Sequence, residues 1–258
     1  MDASANTSSA LTLDITWLGQ AGFLLETDGC RLLIDPWVSP ADGRLIEPPP
    51  LDLVCEQIDA VLITHEHLDH LDLPFLRLLA ERSPDALLVV PQPIVDQAEG
   101  ILRLSPVRPG DRVELSSLGV EVVPAWHSTS AKGAYSDRDG RFVGYVIHAG
   151  ESVVYHAGDT VVTEGLLASL ERKRIDIALL PVNGRDFFRD ARDIVGNMNA
   201  REAVEFARRV GAHTLVPYHW DGFAGNTEQP GRVVDDAAAA GDLHVLCLAR
   251  YRRFRLVV

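Results

Sequence analysis

The sequence predicts an α/β fold in which two β-sheets pack face to face and helices cover their outer faces. Hairpin-rich strands in the first half of the chain, followed by mixed strands and helices, lead to this prediction. With 258 residues, 47% of them hydrophobic, the chain is long enough to bury a large core. We expect a flexible tail over residues 1–10, because this stretch is polar and has no signal-peptide pattern. A single domain is expected over residues 11–258.

The strands are predicted from two hydrophobic patterns. Alternation of apolar and polar residues over 11–17 indicates a first strand with one buried face. Asp28-Gly29 joins the next two strands as a hairpin turn, and further hairpins are predicted around residues 117–119 and 149–151. Continuous apolar runs indicate strands buried on both faces. These runs cover residues 60–63, 86–90, 177–182 and 214–216.

The helices are predicted from capping residues and helical periodicity. The clearest covers residues 200–210, where Asn199 can cap the first turn and Glu202 completes a capping box. Residues 71–82 and 94–104 are weaker candidates.

The composition bounds the possible partners and the location. A formal charge of −13, from 24 basic and 37 acidic residues, argues against general nucleic-acid binding, which needs a basic surface. No apolar run approaches the roughly 18 residues of a membrane span. Cys30, Cys55 and Cys247 lie apart among apolar neighbours, which predicts buried, reduced thiols and a cytoplasmic location. We expect a small-molecule substrate, no membrane partner and, as an open option, a homo-oligomer.

The sequence of residues 64–70 carries the first chemical signal. His65, His67, Asp69 and His70 follow directly after the predicted strand 60–63. Borderline divalent metals favour imidazole nitrogen together with carboxylate oxygen, which this loop offers. The alternative is a solvated loop with incidental histidines. Four potential ligands at one strand end, in a chain with nine histidines, weigh against that alternative.

Three further side chains occupy equivalent positions. His127, Asp159 and His219 each follow the end of a predicted strand. Strand ends that share one edge of a sandwich can surround two metal ions, so we expect a metal site at this edge.

Together these motifs resemble the HxHxDH signature and the later motifs of the metallo-β-lactamase superfamily. The resemblance implies a four-layer αββα sandwich and two divalent metal ions, Zn²⁺ or Mn²⁺. It divides the ligands into a first set of His65, His67 and His127, a second set of Asp69, His70 and His219, and a bridging Asp159. Asp35 matches the family's aspartate that supports a ligand histidine, although an aspartate before proline is also typical of a turn.

Residues 180–189 and 195–203 resemble the L-ascorbate-6-phosphate lactonase branch. This resemblance implies a metal-dependent hydrolase that opens the lactone of a small, phosphorylated sugar acid with a metal-bridged hydroxide. Asp69 would also act as a catalytic proton shuttle. Arg185 and Arg189 are candidates for phosphate binding, because guanidinium donors match phosphate oxygens; their alternative is a surface Arg–Asp network. Asn183 is a candidate for substrate binding, or it shapes a turn.

Two other functions stay open at this point. A small-molecule phosphodiesterase could use the same pair of ions, and the acidic composition does not exclude a small cyclic phosphodiester. A non-catalytic metal-binding protein is the other alternative. A missing ligand would indicate it, and all seven ligand positions carry the expected residue types.

Overall fold

A computed structural model describes residues 12–257, so the predicted tail over residues 1–10 lies outside the described residues. The strands of the described chain are, in order, β1 (Thr12–Gly19), β2 (Gly22–Thr27), β3 (Cys30–Ile34), β4 (Ala60–Leu62), β5 (Leu87–Pro91), β6 (Arg103–Val107), β7 (Arg112–Leu115), β8 (Leu118–Pro124), β9 (Val143–Ala149), β10 (Ser152–His156), β11 (Ile177–Pro181), β12 (Thr214–Tyr218), β13 (His244–Val245) and β14 (Arg253–Val257). The helices are α1 (Leu51–Cys55), α2 (Leu73–Arg82), α3 (Glu164–Leu170), α4 (Phe187–Asp190), α5 (Ala200–Arg209) and α6 (Gly231–Ala240).

The strands form two seven-stranded sheets. The first has the order β14-β1-β2-β3-β4-β5-β6, and its strands β3 to β6 run parallel. The second has the order β13-β12-β11-β10-β9-β8-β7, and its strands β10 to β13 run parallel. The hairpins β2–β3 and β9–β10 lie where the turn signals predict them.

The core consists of three apolar layers. Side chains such as Phe23 and Tyr145 fill the space between the sheets. Phe75 of α2 packs on the outer face of the first sheet. Phe206 of α5 belongs to the layer outside the second sheet, which α3 and α6 also contribute to. The order helix, sheet, sheet, helix confirms the predicted αββα sandwich.

Helix α5 is formed as the capping residues predict. The side chain of Asn199 accepts a hydrogen bond from the Glu202 backbone N–H at 2.9 Å, and the Glu202 carboxylate accepts from the Asn199 N–H at 3.1 Å. The longest α-helices of the described residues have ten residues each, and none is long and apolar enough to cross a bilayer.

Three expectations were wrong. The helix predicted over residues 94–104 is a 3₁₀ helix over Gln92–Ala98 followed by strand β6, because Gly100 takes a φ of 76° and the next residues pair with β5. The polar face of β1 is not exposed: Asp14 and Thr16 are buried, and the side chain of Arg255 in the paired strand β14 binds Asp14. Cys247 is exposed, whereas Cys30 and Cys55 are buried as predicted.

Candidate metal centre

The ligand-type side chains follow strands that end at the same edge of the sandwich. His65 and His70 lie in the loop after β4, and His127 follows β8. Asp159 follows β10, and His219 follows β12. The second-sheet strands β8, β10 and β12 point in the same direction, so their carboxyl ends deliver these side chains together.

Gly158 brings the β10 end close to the β4 end. It has a φ of 62°, and a Cβ at this position would lie 2.6 Å from the Val143 carbonyl and 3.0 Å from the Cβ of Thr64. Only glycine fits this approach without displacing backbone. The turn therefore sets Asp159 directly against the loop that carries His65 and His70.

Seven side chains gather into two adjoining groups. The first consists of His65, His67, His127 and Asp159, and the second of Asp69, His70 and His219. In each group the potential ligand atoms lie within 4.8 Å of one another. This division is the one that the family resemblance implies for two metal ions.

Asp159 lies between the two groups. Its Oδ2 is 3.6 Å from Nε2 of His127 in the first group and 3.2 Å from Nε2 of His219 in the second. Its Oδ1 is 3.5 Å from Nε2 of His70. A carboxylate in this place can contact both ions, which agrees with the bridging role expected for it.

Several donor atoms of the cluster are suited to bind metal ions, because they make no hydrogen bonds to one another. Nε2 of His70, Nε2 of His127 and Oδ1 of Asp159 are buried and have no hydrogen-bond partner among the described residues. Buried polar atoms without partners are costly, and folded proteins retain few of them. Imidazole and carboxylate donors suit Zn²⁺ and Mn²⁺. The residues present therefore fit a pair of divalent cations.

Burial controls the protonation of the first group. It lowers the pKa of His65 well below its ordinary value and lowers the pKa of His127 to about 3, because a charged ring loses its hydration. Both rings are therefore neutral at pH 7. Neutral imidazole is the form that binds a metal ion.

In the second group, the neighbouring carboxylates raise the pKa values of the histidines. Burial by itself would lower the pKa of His219, but the carboxylates of Asp159 and Asp69 together outweigh it and raise this pKa to about 9. The same competition raises the pKa of His70, beside Asp159, Asp35 and Asp69. Burial would raise the pKa of Asp159, but His219 and His70 hold it well below its usual value. The carboxylates are thus ionised and attract positive charge.

Comparison with known proteins identifies the family. The model of the Beta-lactamase superfamily domain matches residues 30–220. A UPF0173 metal-dependent hydrolase of Pyrobaculum aerophilum is 32% identical over 218 residues, which are 82% of this chain and 85% of the relative. The chain belongs to the metallo-β-lactamase superfamily and to its UPF0173 metal-dependent hydrolases. Another relative with this description, from Methanopyrus kandleri, is 28% identical and covers 91% of this chain and 96% of its own length.

Two solved structures share the fold. Igni18, a metallo hydrolase from the archaeon Ignicoccus hospitalis, superposes with a TM-score of 0.74 at 23% identity, over 95% of this chain and 98% of that one. The isothiocyanate hydrolase from Delia radicum gut bacteria gives a TM-score of 0.73 at 19% identity, over 93% and 98% of the two chains. At these identities the likeness is one of fold.

In this metal-dependent hydrolase, Asp35 lies against His70, which is where a supporting aspartate is expected. Its Oδ2 lies 2.7 Å from Nδ1 of His70 and accepts the Thr64 hydroxyl at 2.6 Å, while its Oδ1 accepts the Thr64 backbone N–H at 2.8 Å. The carboxylate is fully buried at the end of β3. It can therefore fix the orientation of the His70 ring.

Gln20 contributes to the site although sequence reasoning missed it. Its Nε2 donates to Oδ2 of Asp69 at 2.8 Å and lies 3.1 Å from Nε2 of His219. Its Oε1 accepts the backbone N–H of Gly222 at 3.0 Å, which orients the amide. Gln20 lies in the turn between β1 and β2, and a lone amide in a turn gives no sequence signal for this role.

The residues predicted to bind the substrate form hydrogen bonds with other protein groups. Asn183 is fully buried, donates to Oδ1 of Asn226 at 3.0 Å and accepts from Nδ2 of Asn197 at 3.0 Å. Asn226 in turn lines a cleft beside the ligand cluster. Asn183 therefore reaches that cleft only through another side chain.

The two predicted arginines are engaged by other protein groups. Arg185 binds both carboxylate oxygens of Glu202, at 2.8 and 2.5 Å, and donates to the Asn197 carbonyl at 2.7 Å. Arg189 pairs with Asp186 and donates to the Thr227 carbonyl at 2.9 Å. Both match the surface-network alternative, and their binding of phosphate stays a prediction.

Proposed function

We propose that this hydrolase opens the lactone ring of a small sugar acid, with two divalent ions, Zn²⁺ or Mn²⁺, held by the seven clustered side chains. The observation that carries the proposal is this cluster, six of whose members are buried and several of whose donor atoms have no hydrogen-bond partner in the described chain. The resemblance of residues 180–189 and 195–203 to the lactonase branch supplies the substrate class.

Each side chain has a definite task in this reaction. His65, His67 and His127 would hold one ion, Asp69, His70 and His219 would hold the other, and Asp159 would contact both. Two such ions would supply a bound water of lowered pKa and would polarise the carbonyl group of the substrate.

Asp69 is the catalytic acid–base group of the proposal. Gln20 donates to its Oδ2 and so orients the carboxylate, which would take the proton from the attacking water. Addition of the water oxygen to the lactone carbonyl carbon opens the C=O π bond, and re-formation of the carbonyl then breaks the ring C–O bond. The proton then passes from Asp69 to the ring oxygen, which leaves as a hydroxyl group, and the product is an open-chain hydroxy acid.

We also propose a small-molecule substrate and a cytoplasmic location. The cleft beside Asp69 and His219 has a volume of about 470 Å³, within the range of small-ligand sites. All three cysteines are free thiols, which is usual in a reducing compartment.

The proposal is tested by elemental analysis together with an activity screen. We expect two ions per chain and turnover of plain or phosphorylated lactones, which a chelator abolishes and added Mn²⁺ or Zn²⁺ restores. His127→Ala should lower the metal content and abolish turnover, whereas His148→Ala, a partly exposed histidine in the β9–β10 hairpin, should change neither. Faster turnover of bis-p-nitrophenyl phosphate than of any lactone would indicate a phosphodiesterase. Two bound ions with no turnover of any ester would indicate a metal-binding protein.

A further inference from the structure

Two cavities are lined in part by residues of the ligand cluster. Cleft A has a volume of about 450 Å³ and is bounded by residues of the segment 127–142, including the ligand His127, Ser136 and Arg141. Cleft B, the cavity of about 470 Å³ described above, contacts ligands of both groups. Thr129 lines both clefts, so they adjoin. A substrate with its reacting bond at the ligands can therefore extend into each.

The walls of cleft B are acidic and apolar. Besides its metal-ligand carboxylates it contains Asp42 and Asp193, and no lysine or arginine is among its lining residues in the described chain. Leu68 and Phe223 add apolar surface, and Leu68 is 58% exposed. The two additional carboxylates disfavour an acidic group in this cleft.

The walls of cleft A contain one positively charged side chain. Arg141 is the one lysine or arginine among its described lining residues, and Asp139 is the one acidic residue. Nη1 of Arg141 pairs with Oε1 of Glu66, which lies between the ligands His65 and His67 in the sequence. Arg141 is thereby attached to the metal-binding loop itself.

The guanidinium of Arg141 has N–H donors that its ion pair does not use. Its pairing with Glu66 engages Nη1, and within the described part of the chain Nε and Nη2 make no hydrogen bond. The side chain is 37% exposed, so a ligand in cleft A can reach these atoms. Arg185, by contrast, already uses Nη1 and Nη2 on the Glu202 carboxylate. Arg141 is therefore better placed than Arg185 to bind an anionic group.

The wall of cleft A is fixed relative to the ligands. His127 and Ser136 form an antiparallel bridge, with N–H···O distances of 3.3 and 3.0 Å, at the base of the loop between them. Tyr135 donates its hydroxyl to the Gly196 carbonyl at 2.9 Å. An anionic group held in cleft A would thus keep a defined distance from His127.

We infer that cleft A binds the acidic group of the substrate, a carboxylate or a phosphate, through Nε and Nη2 of Arg141, and that cleft B receives the uncharged remainder. The inference rests on the proposed function, because it assumes that the reacting bond lies at the ligand cluster. It transfers the expected anion contact from Arg185 and Arg189 to Arg141. Two parallel N–H donors of one guanidinium suit both kinds of anion.

Binding of simple anions to the metal-free protein tests the inference without catalysis. Inorganic phosphate and acetate are titrated separately into chelator-treated protein, and NMR or calorimetry gives the two dissociation constants, which tell a phosphate site from a carboxylate site. Arg141→Gln should weaken binding of the preferred anion about tenfold or more, because two charge-assisted hydrogen bonds are lost. Circular dichroism confirms that the variant is folded.

Arg208→Gln is the matched control. Arg208 is 36% exposed and also ion-paired, but it lies on α5, bound to Asp242. This variant should bind both anions as the unchanged protein does. The inference is overturned if the unchanged protein binds neither anion, if Arg141→Gln binds as tightly as the unchanged protein, or if the loss occurs in Arg185→Gln instead.

Kinetics of the metal-loaded enzyme separate this inference from the proposed function. With δ-gluconolactone and its 6-phosphate as a matched pair, Arg141→Gln should raise KM only for the phosphorylated lactone, and Arg141→Lys should restore part of the loss. If both lactones are hydrolysed and the variant changes neither KM, the proposed function stands and the inference fails. If neither is hydrolysed but anion binding depends on Arg141, the lactonase assignment fails and the anion site stands.

Discussion

Nδ1 of His70 lies 2.7 Å from Oδ2 of Asp35, and both side chains are completely buried. The opposite nitrogen of the ring, Nε2, has no hydrogen-bond partner among the described residues and faces the carboxylates of Asp69 and Asp159. Asp35 thus accepts the Nδ1 proton, so Nε2 is the nitrogen at which a metal ion would replace a proton. A histidine ligand held in this way binds its metal more tightly than a free ring does.

Asp35→Asn should therefore weaken metal binding. We expect the affinity for at least one divalent ion to fall about 10–100-fold, the usual effect of removing a carboxylate that supports a histidine ligand. Competition with a chromogenic chelator measures the change. Asp14→Asn is the control, because Asp14 is similarly buried but pairs with Arg255. Equal affinities of Asp35→Asn and the unchanged protein would contradict the supporting role.

Gln20→Ala should disturb the second ligand group. The Nε2–Asp69 hydrogen bond is lost, so Asp69 is less well oriented, and we expect about a tenfold loss of affinity for one ion. Gly222→Ala should have the same effect, because a Cβ at Gly222 would lie 2.2 Å from Oε1 of Gln20. Gln97→Ala, an exposed glutamine in the 3₁₀ helix, should leave binding unchanged. If both metal sites stay fully occupied in Gln20→Ala and in Gly222→Ala, Gln20 does not position Asp69.

The clustering of the seven ligand-type residues could be predicted because their signal is local. Each of the later ligands directly follows an apolar strand, and the first four lie within residues 65–70. Gln20 could not be predicted, since its partner Asp69 is 49 residues away and only the folded turn between β1 and β2 brings the two together. The assignment of Arg185 rested on residue type, and type does not reveal that Glu202 already occupies its donors.

The errors in the fold have a similar cause. Alternation over residues 11–17 predicts one exposed face, but the side chain of Arg255, on strand β14 from the far end of the chain, lies against Asp14 on that face. The helix predicted over residues 94–104 relied on local apolar spacing. Parallel pairing of β6 with β5, which is a tertiary contact, overrides that preference.

The three thiols should differ in reactivity. Cys30 and Cys55 are buried, and burial raises the pKa of Cys30 to about 12, so neither forms a reactive thiolate in the folded protein. Cys247 is exposed, although partial burial of its sulfur also raises its pKa. We expect Ellman's reagent to modify one thiol per folded chain, faster as the pH rises, and three in denaturant.

Cys247→Ser is the variant that assigns this reactive thiol. It should abolish the reaction of the folded protein and leave two thiols titratable after unfolding. Rapid modification of the folded Cys247→Ser protein would mean that Cys30 or Cys55 is accessible.

The pairing of β1 with β14 should make stability depend on pH. Asp14 accepts from Nε and Nη2 of Arg255 at 2.8 Å each, and these hydrogen bonds hold the pKa of Asp14 below its ordinary value of 3.8, against the opposing effect of burial. Because the folded-state pKa is the lower one, the ionised carboxylate stabilises the fold fully above about pH 4. That contribution is lost as the pH falls through the folded-state pKa.

Asp14→Asn should accordingly lower the urea midpoint at pH 7, and the difference from the unchanged protein should shrink as the pH falls from 4 toward 2. Both proteins are measured without metal, so that acid release of ions from the ligand cluster does not contribute. Arg255→Gln should give the same pattern, since it removes the other half of the pair. A difference in midpoint that stays constant between pH 7 and pH 2 would mean that Asp14 acts through packing and not through its charge.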